Sequence, residues 1–532
     1  MIDNIHAQKL DYVSLNAPTF IKNIASSKVT PWIISIGYIL IVGFFGLKYH
    51  VIGDYEVETD FYWTYAPIAE SILEGNIVVD DFKGPGYPFI IALGKLFLSD
   101  LFKTGILVSI LSAGLILLIT YLFYRKVFSG EIAFLVTFAL ICNTAFVRYS
   151  YTVSTDMVFS VLILSVIYLS LWSENSGLFN IIICSLLSAI AFLVRYNAVS
   201  IILAFVVIIF LLRTISFPKR ISRLLVYGIT TLIFVLPWLF FLHSNKGEFF
   251  YQKNHLNMAY EIYGKGVVSW DQWWLNESHR FQSFYDVITY NPIVLLQRIV
   301  FNFAEHLSND LFWLLGILWG ILCTGGFYVS FRNGLFKPQM RFLVFCILYF
   351  LFLVPFFYSD RFSLPLLPFY FFSGVIFILW LSQKFKVLMT APFFIFLLLL
   401  LYGLSFHRTL SYNIKQINAG PVEVLEVAEI YKPFINNSRK SDNTVIARKP
   451  HIAYYLNMKF HPLPDVENVD ELLDYCRINK INFIFISTVE AALRPKIKYL
   501  LDYKNPPPKL LPVAVNQSEN AVLYKIENEV IK

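Results

Sequence analysis

Charge is what this chain has least of. Only 15% of its 532 residues are Asp, Glu, Lys or Arg, against 57% hydrophobic and 18% aromatic; ordinary soluble domains carry roughly 25% charged residues. That balance excludes a soluble enzyme, and apolar runs of about 20 residues, the length of a bilayer crossing, recur along the whole chain. Cysteine is also scarce. The five cysteines, Cys142, Cys184, Cys323, Cys346 and Cys476, form no CxxC pair, and four sit in or beside apolar runs. Neither a disulfide framework nor a zinc site is supported. A cleavable signal peptide is missing too. Residues 1–30 are mostly polar and no small-residue cleavage site follows the first apolar run, which therefore reads as a retained signal anchor. The net charge of +7 implies no nucleic acid partner, because membrane proteins collect Lys and Arg in cytoplasmic loops.

What is present is a series of spanning segments. Apolar runs near 32–49, 104–124, 131–149, 153–172, 178–195, 196–213, 222–243, 311–331, 341–358, 364–382 and 388–406 predict about eleven transmembrane helices. The run Gly86–Leu98 is short of the about 20 residues a crossing needs and is expected to be interfacial or re-entrant. With the N-terminus in the cytoplasm, the inner loops hold Arg125 and Lys126, then Arg213, Lys219, Arg220 and Arg223. Next come Arg332, Lys337 and Arg341, and finally Lys384 and Lys386. Apart from the short turn near Glu174, every inner loop is basic, as the positive-inside bias requires. The acidic loop 51–85, the long loop 244–310 and the C-terminal tail then lie outside.

The fold class that follows is a polytopic α-helical membrane protein with a small C-terminal α/β outer domain. Its expected parts are a cytoplasmic segment 1–30, a membrane domain 31–406 with outer loops 51–103 and 244–310, and an extracytoplasmic domain 407–532. The loop 244–310 carries Trp270, Trp273, Trp274, Phe281, Phe284 and Tyr285, so short helices lying on the outer leaflet are expected. Beyond 407, helical patterns (Val422–Phe434, Val469–Asn479) alternate with strand-like runs (Thr444–Ala447, Ile481–Ser487, Ala521–Ile526), the signature of a small α/β fold. The tail has no Gly-rich phosphate loop and no His/Cys cluster. Scaffolding or acceptor docking is its expected role.

Four outer sites bring ionisable groups to helix ends. The first is Gly53–Pro88, with eight carboxylates against one lysine, Lys83. Asp60 precedes the helical pattern Phe61–Leu73, where a carboxylate would cap the helix or, held near a sugar hydroxyl, act as a general base. Glu56 and Glu58 are rival bases, and Asp80 and Asp81 read as turn residues. Lys83-Gly-Pro-Gly-Tyr-Pro88 is a turn signal with a cation at its head, suited to angling the next segment or to meeting a lipid phosphate. The second site is Thr155-Asp156, opening the fourth span, where an acid must cap, pair with Arg148 or function. The third is Arg195-Tyr196-Asn197; its arginine either snorkels to headgroups or grips a phosphate. The fourth is Asp360-Arg361, a local ion pair or part of the same site. His255 and His279 share no ligand spacing and read chiefly as interfacial packing.

In their order, these features resemble the GT-C class of polytopic glycosyltransferases that use polyprenyl-phosphate-linked sugars, in the branch of the aminoarabinose transferase and protein O-mannosyltransferases. The features that carry the likeness are Asp60-Phe-Tyr with Tyr65, Ala69 and Gly75; Lys83-Gly-Pro-Gly-Tyr87-Pro88; Tyr149 with Thr155-Asp156; Phe192-Leu-Val-Arg195-Tyr196-Asn197; Pro237-Trp238; and Arg361 before Leu-Pro-Leu-Leu-Pro. The likeness covers roughly residues 30–410 and implies an inverting transfer at the outer face of the cell membrane. Asp60 would be the base that deprotonates a hydroxyl acceptor on a lipid, glycan or protein. Lys83, Arg195 and Arg361 would neutralise the departing polyprenyl phosphate. Asp156 would be the second acidic position, orienting the acceptor or helping a divalent metal. Tyr65, Tyr87, Tyr196 and Asn197 would line the substrate loops. Two positions depart from the pattern. Phe82 stands where aminoarabinose-type relatives carry a metal-binding glutamate, and Phe61 where O-mannosyltransferases carry the second acid of an Asp-Glu pair. A transporter or flippase for lipid-linked saccharide, a ligase of a lipid-linked polymer and a non-catalytic scaffold for envelope assembly are the competing functions. The first would need charges within the spans rather than at their outer ends.

Overall fold

A computed structural model describes residues 19–171, 177–211, 215–385, 391–435 and 443–527. Residues 1–18, Glu174, Arg213 and Lys386, all used in the orientation argument, lie outside the described residues. The chain divides into two compact units, one of residues 1–48 and 71–415, the other of 49–70 and 416–532. This differs from a single cut near 407: the segment carrying Asp60 groups with the C-terminal residues.

In the first unit every expected apolar run coincides with a helix or a helix pair. Thr30–Tyr49, Leu101–Val127, Phe217–Lys246, Asp360–Lys384 and Pro392–Gln416 are long and apolar enough to cross a membrane individually. Asp156–Ser170, Leu178–Val194, Tyr196–Leu211, Ile317–Arg332 and Met340–Leu353 are shorter apolar helices. The run expected as one straight span at 131–149 is instead Gly130–Ile141 and Thr144–Tyr151, bent by 67°. Asn143 causes the bend. Its Oδ1 accepts from Phe146 N at 2.9 Å, capping the second helix, while its Nδ2 donates to Leu314 O at 2.8 Å. A cap inside an apolar run ends one helix and starts another. Polar bonds tie the helices together, among them Tyr38 Oη with Ser150 Oγ at 2.7 Å and Tyr151 Oη to Asn413 Oδ1 at 2.8 Å. Buried groups in an apolar bundle need such partners.

The loop 244–310 is built largely of short helices, as its sequence predicts. It holds helices Asn254–Ala259, Trp270–Asn276, Phe284–Tyr290 and Pro292–Asn309. The last of these continues to Leu314 and meets Phe284–Tyr290 at 99°. Trp273, Phe281 and Val287 form a buried cluster with Leu256 and Ile262. His255 belongs to that packing, its Nε2 3.1 Å from Phe281 O, whereas His279 is exposed.

The second unit contains a five-stranded sheet of order β2-β1-β3-β5-β4, with β1 Thr444–Ala447, β2 Lys459–Pro462, β3 Phe483–Ser487, β4 Leu510–Val515 and β5 Ala521–Ile526. β1 pairs parallel with β2 and β3, and β5 runs antiparallel to β3 and β4. Helix Val469–Ile478 covers one face, with Leu472 and Cys476 fully buried among Ile446, Ile484 and Ile486.

Candidate active site

In the membrane unit, the residues singled out at three helix ends expected to face outward come together. Asp156 opens its helix and is completely buried; Arg195, at the end of Leu178–Val194, pairs with its Oδ1. The partner is therefore Arg195 rather than Arg148, which instead donates from Nη1 to Tyr412 Oη at 3.2 Å. Asp156 Oδ2 has no hydrogen-bond partner among the described residues. Arg195 does not snorkel. Its guanidinium lies 4.9 Å from the Phe362 ring centroid and 5.5 Å from that of Phe159. Arg361 lies 5.0 Å from the same Phe362 ring. Two guanidinium groups beside one ring are attracted by the negative charge of its faces. The backbone of Phe362 is tied down, its O accepting from Tyr349 Oη at 2.7 Å. Asp360 accepts from Tyr149 Oη at 2.7 Å, a partner that sequence adjacency to Arg361 did not reveal.

Lys83 reaches the same neighbourhood through its backbone. A Cβ on Gly84 would collide with Leu193 O, and one on Gly86 would sit 2.8 Å from Leu193 C and Val194 N. The glycines therefore let the Lys83–Pro88 turn press on the last residues of the helix that delivers Arg195. Asp80 shapes the approach, its Oδ1 accepting from Phe82 N at 2.8 Å and Lys83 N at 2.7 Å, the local bonding of an Asx turn. Asp81 is not merely a solvated turn residue. It accepts from Lys253 Nζ at 2.6 Å and Tyr251 Oη at 2.7 Å. Partial burial opposes its ionisation, but these two bonds prevail and hold the carboxyl below its usual range.

Tyr87 is fully buried in helix Gly86–Gly94. Tyr196 accepts from Trp238 Nε1 at 3.2 Å. Asn197 Oδ1 is buried without a hydrogen-bond partner among the described residues.

Asp60 and Tyr65 lie in the other unit. Asp60 is half-buried and its side chain does not cap the π-helical turn Phe61–Tyr65 that follows it, so the capping role expected from sequence does not hold. Its rival Glu58 is wholly buried, with both carboxylate oxygens 2.9 Å from His50 Nε2 and Oε2 accepting from Asp54 N at 2.9 Å. Those bonds give Glu58 a structural task. Sequence reading had no signal for His50, a lone histidine at the end of an apolar run, nor for Phe362, whose only clue is its place beside Arg361.

A metal ion is poorly served by these residues. Asp156 is committed to Arg195, and among the described residues no group of three His, Cys, Asp or Glu side chains is placed to hold one.

Residues 82–241 match the family model described as dolichyl-phosphate-mannose-protein mannosyltransferase. No curated protein matches the chain by sequence. Among solved structures the chain is similar to ArnT from Cupriavidus metallidurans bound to undecaprenyl phosphate. The identity is 14% and the TM-score 0.60, covering 94% of this chain and 99% of that one. It is similar as well to the archaeal oligosaccharyltransferase AglB from Archaeoglobus fulgidus in complex with an inhibitory peptide and a dolichol-phosphate. There the identity is 13% and the TM-score 0.50, covering 88% and 70% of the two chains. A structure of the Archaeoglobus fulgidus oligosaccharyltransferase with zinc and sulfate gives 15%, 0.52, 85% and 68%. At these identities the likenesses establish the fold. With the family-model match, they support the GT-C resemblance read from the sequence, and with the apolar helices they make the chain a multi-pass membrane protein.

Proposed function

We propose that this chain is an inverting glycosyltransferase that moves a sugar from a polyprenyl-phosphate donor to a hydroxyl acceptor at the outer face of the cell membrane. The observation that carries the reading is the pair of guanidinium groups, Arg195 and Arg361, gathered on Phe362, with the Lys83 turn packed against the helix end at Leu193–Val194. Three cations in one unit suit a phosphate whose charge rises as its bond to the sugar breaks. The family-model match, which begins at residue 82 and runs through Arg195, favours the same use. In the reaction, a carboxylate takes the acceptor's hydroxyl proton, the oxygen attacks the anomeric carbon, and the electron pair of the breaking C–O bond leaves on polyprenyl phosphate. Asp60 is assigned the base by resemblance, and its half-buried carboxylate is compatible with that task. Asp156 is better suited to holding Arg195 in place than to touching the acceptor, because it is buried and ion-paired. No step is routed through a metal ion.

The test is to supply purified protein with a panel of radiolabelled polyprenyl-phosphate sugars and follow label transfer and free polyprenyl phosphate. Turnover with at least one donor is expected; no release with any of them would reject the reading. Loss of turnover on chelation, restored by a divalent cation, would overturn the metal-free scheme. For orientation, an impermeant thiol reagent applied to intact cells should label Thr59→Cys and spare Lys219→Cys. The opposite pattern would invert the topology.

A further inference from the structure

In the second unit, β1 and β3 are neighbouring parallel strands, and the order β2-β1-β3 makes their carboxyl ends a topological switch point. Open α/β sheets bind ligands in the crevice at such a point. Here the chain fills that place with its own first loop. Tyr55 lies beside Ser487 at the end of β3, and its ring meets His451 edge-on at 4.8 Å, four residues past β1. Nε2 of His451 faces two backbone carbonyls of the loop, Gly53 O at 3.2 Å and Asp54 O at 3.3 Å. The histidine is fully buried and its Nδ1 has no hydrogen-bond partner among the described residues. Burial pushes its pKa down to about 3, so the ring is neutral and its single proton serves Nε2, the nitrogen facing acceptors.

The same short segment grips the loop beyond Asp60. The ring of Tyr62 lies 4.0 Å from that of His451, and its hydroxyl accepts from Gly53 N at 2.9 Å and pairs with Tyr455 Oη at 3.1 Å. Phe61 packs edge-on against Tyr454 at 5.6 Å and Trp63 against Phe460 at 5.1 Å. Backbone before Asp60 and side chains after it are thus held by residues 451–460.

We infer that the C-terminal α/β domain is a positioning platform for the Asp60 loop, and that His451 is the positioning residue that sets the backbone from which Asp60 projects. The domain's ligand crevice is occupied in cis, so acceptor docking there is not its task. This inference rests on the reading of Asp60 as the base.

The experiment compares full-length wild type, His451→Ala and His451→Gln, the last retaining an N–H donor. Steady-state transfer and hydrogen exchange of amides 53–58 are measured on the same preparations. His451→Ala is expected to lower kcat by about 10²-fold, the cost of a roughly 1 Å misplacement. The KM for donor should stay within about twofold of wild type, because uniform binding is untouched. Amides 53–58 should exchange faster, and His451→Gln should restore most of both losses. Tyr55→Phe, which keeps the ring and drops only the hydroxyl beside Ser487, is the second variant if His451→Ala fails to fold, and is expected to move both readouts in the same directions by less. Unchanged exchange, or faster exchange with unchanged kcat, would overturn the inference. Wild-type turnover by Asp60→Asn would instead sink the base assignment alone, since exchange reports the loop without reference to chemistry.

Discussion

The two regions that concern chemistry are built by opposite means. Around Phe362, in the membrane unit, the organising groups are charged: two guanidinium groups share an aromatic ring, and one of them is paired with Asp156. Around His451, the organising group is neutral, and a loop is held by carbonyls, hydroxyls and ring contacts. The difference matches the tasks proposed. A phosphate is large and symmetric, and cations tolerate small errors in its position. A base must meet one hydroxyl proton at hydrogen-bond distance, so its backbone has to be fixed more tightly.

That contrast can be broken at several points. Asp60→Asn should lower transfer by about 10²–10⁴-fold, the usual worth of a general base, with donor binding unchanged in a filter or fluorescence assay. On the cationic side, Arg195→Ala should weaken polyprenyl phosphate binding by about 10–100-fold, equivalent to roughly 1.5–3 kcal/mol for a charged hydrogen bond. Arg195→Lys should recover only part of it, because an ammonium neither stacks nor bonds bidentately. Equal affinity for wild type and Arg195→Ala would remove the phosphate assignment. Gly84→Ala should cost about 1–3 kcal/mol of stability through overpacking, read as a lower thermal midpoint.

The two buried histidines of the second unit should respond to pH with opposite signs. For His50, burial alone would lower the pKa, but the adjacent Glu58 carboxylate outweighs it and holds the ring above its ordinary value. Its contribution is complete below the unfolded value of about 6.5 and is lost as pH rises through the higher folded pKa. His451 is depressed to about 3, so its contribution is present above about 6.5 and lost as pH falls toward the folded value. Thermal midpoints across pH should therefore show His50→Gln flattening the alkaline side and His451→Gln the acid side. The same effect from both variants would refute the assignment. The smallest effect is expected from Asp81→Asn, whose pair with Lys253 is about one-third exposed on both sides and should be worth less than about 1 kcal/mol.

Much of the membrane unit was legible because hydropathy works over long windows. Each expected apolar run meets a helix, but two breaks were hidden: the bend at Asn143, since one polar residue barely changes a window of that length, and the split of 311–331, whose first residues end Pro292–Leu314 before a new helix starts at Ile317. In the second unit β1 and β5 match their expected limits, and β3 begins two residues late at Phe483. β2 and β4 escaped for local reasons. Lys459–Pro462 is four residues of mixed polarity, and β4 carries Pro512 beside a register shift, a placement typical of edge strands. At the candidate site, residue type pointed to Lys83, Arg195 and Arg361, but not to what holds them. The contact of Phe362 with Arg195 and the bond from Tyr149 to Asp360 join residues more than a hundred positions apart. Nor did sequence alone join Tyr55 to Ser487, because pairing across 432 positions leaves no periodic trace.

The meeting of Gly84 and Gly86 with Leu193 and Val194 runs through main-chain atoms on the helix side. Its tolerance to substitution is therefore lopsided. Replacing the Leu193 side chain leaves the touching carbonyl where it was, so a side-chain scan along the helix would pass over this contact in silence. On the other partner, one added methyl group is enough to push the lysine turn away. A library of variants would thus mark positions 84 and 86 as intolerant while giving no hint of what they touch, and the reason would be found only in the atoms that every residue shares.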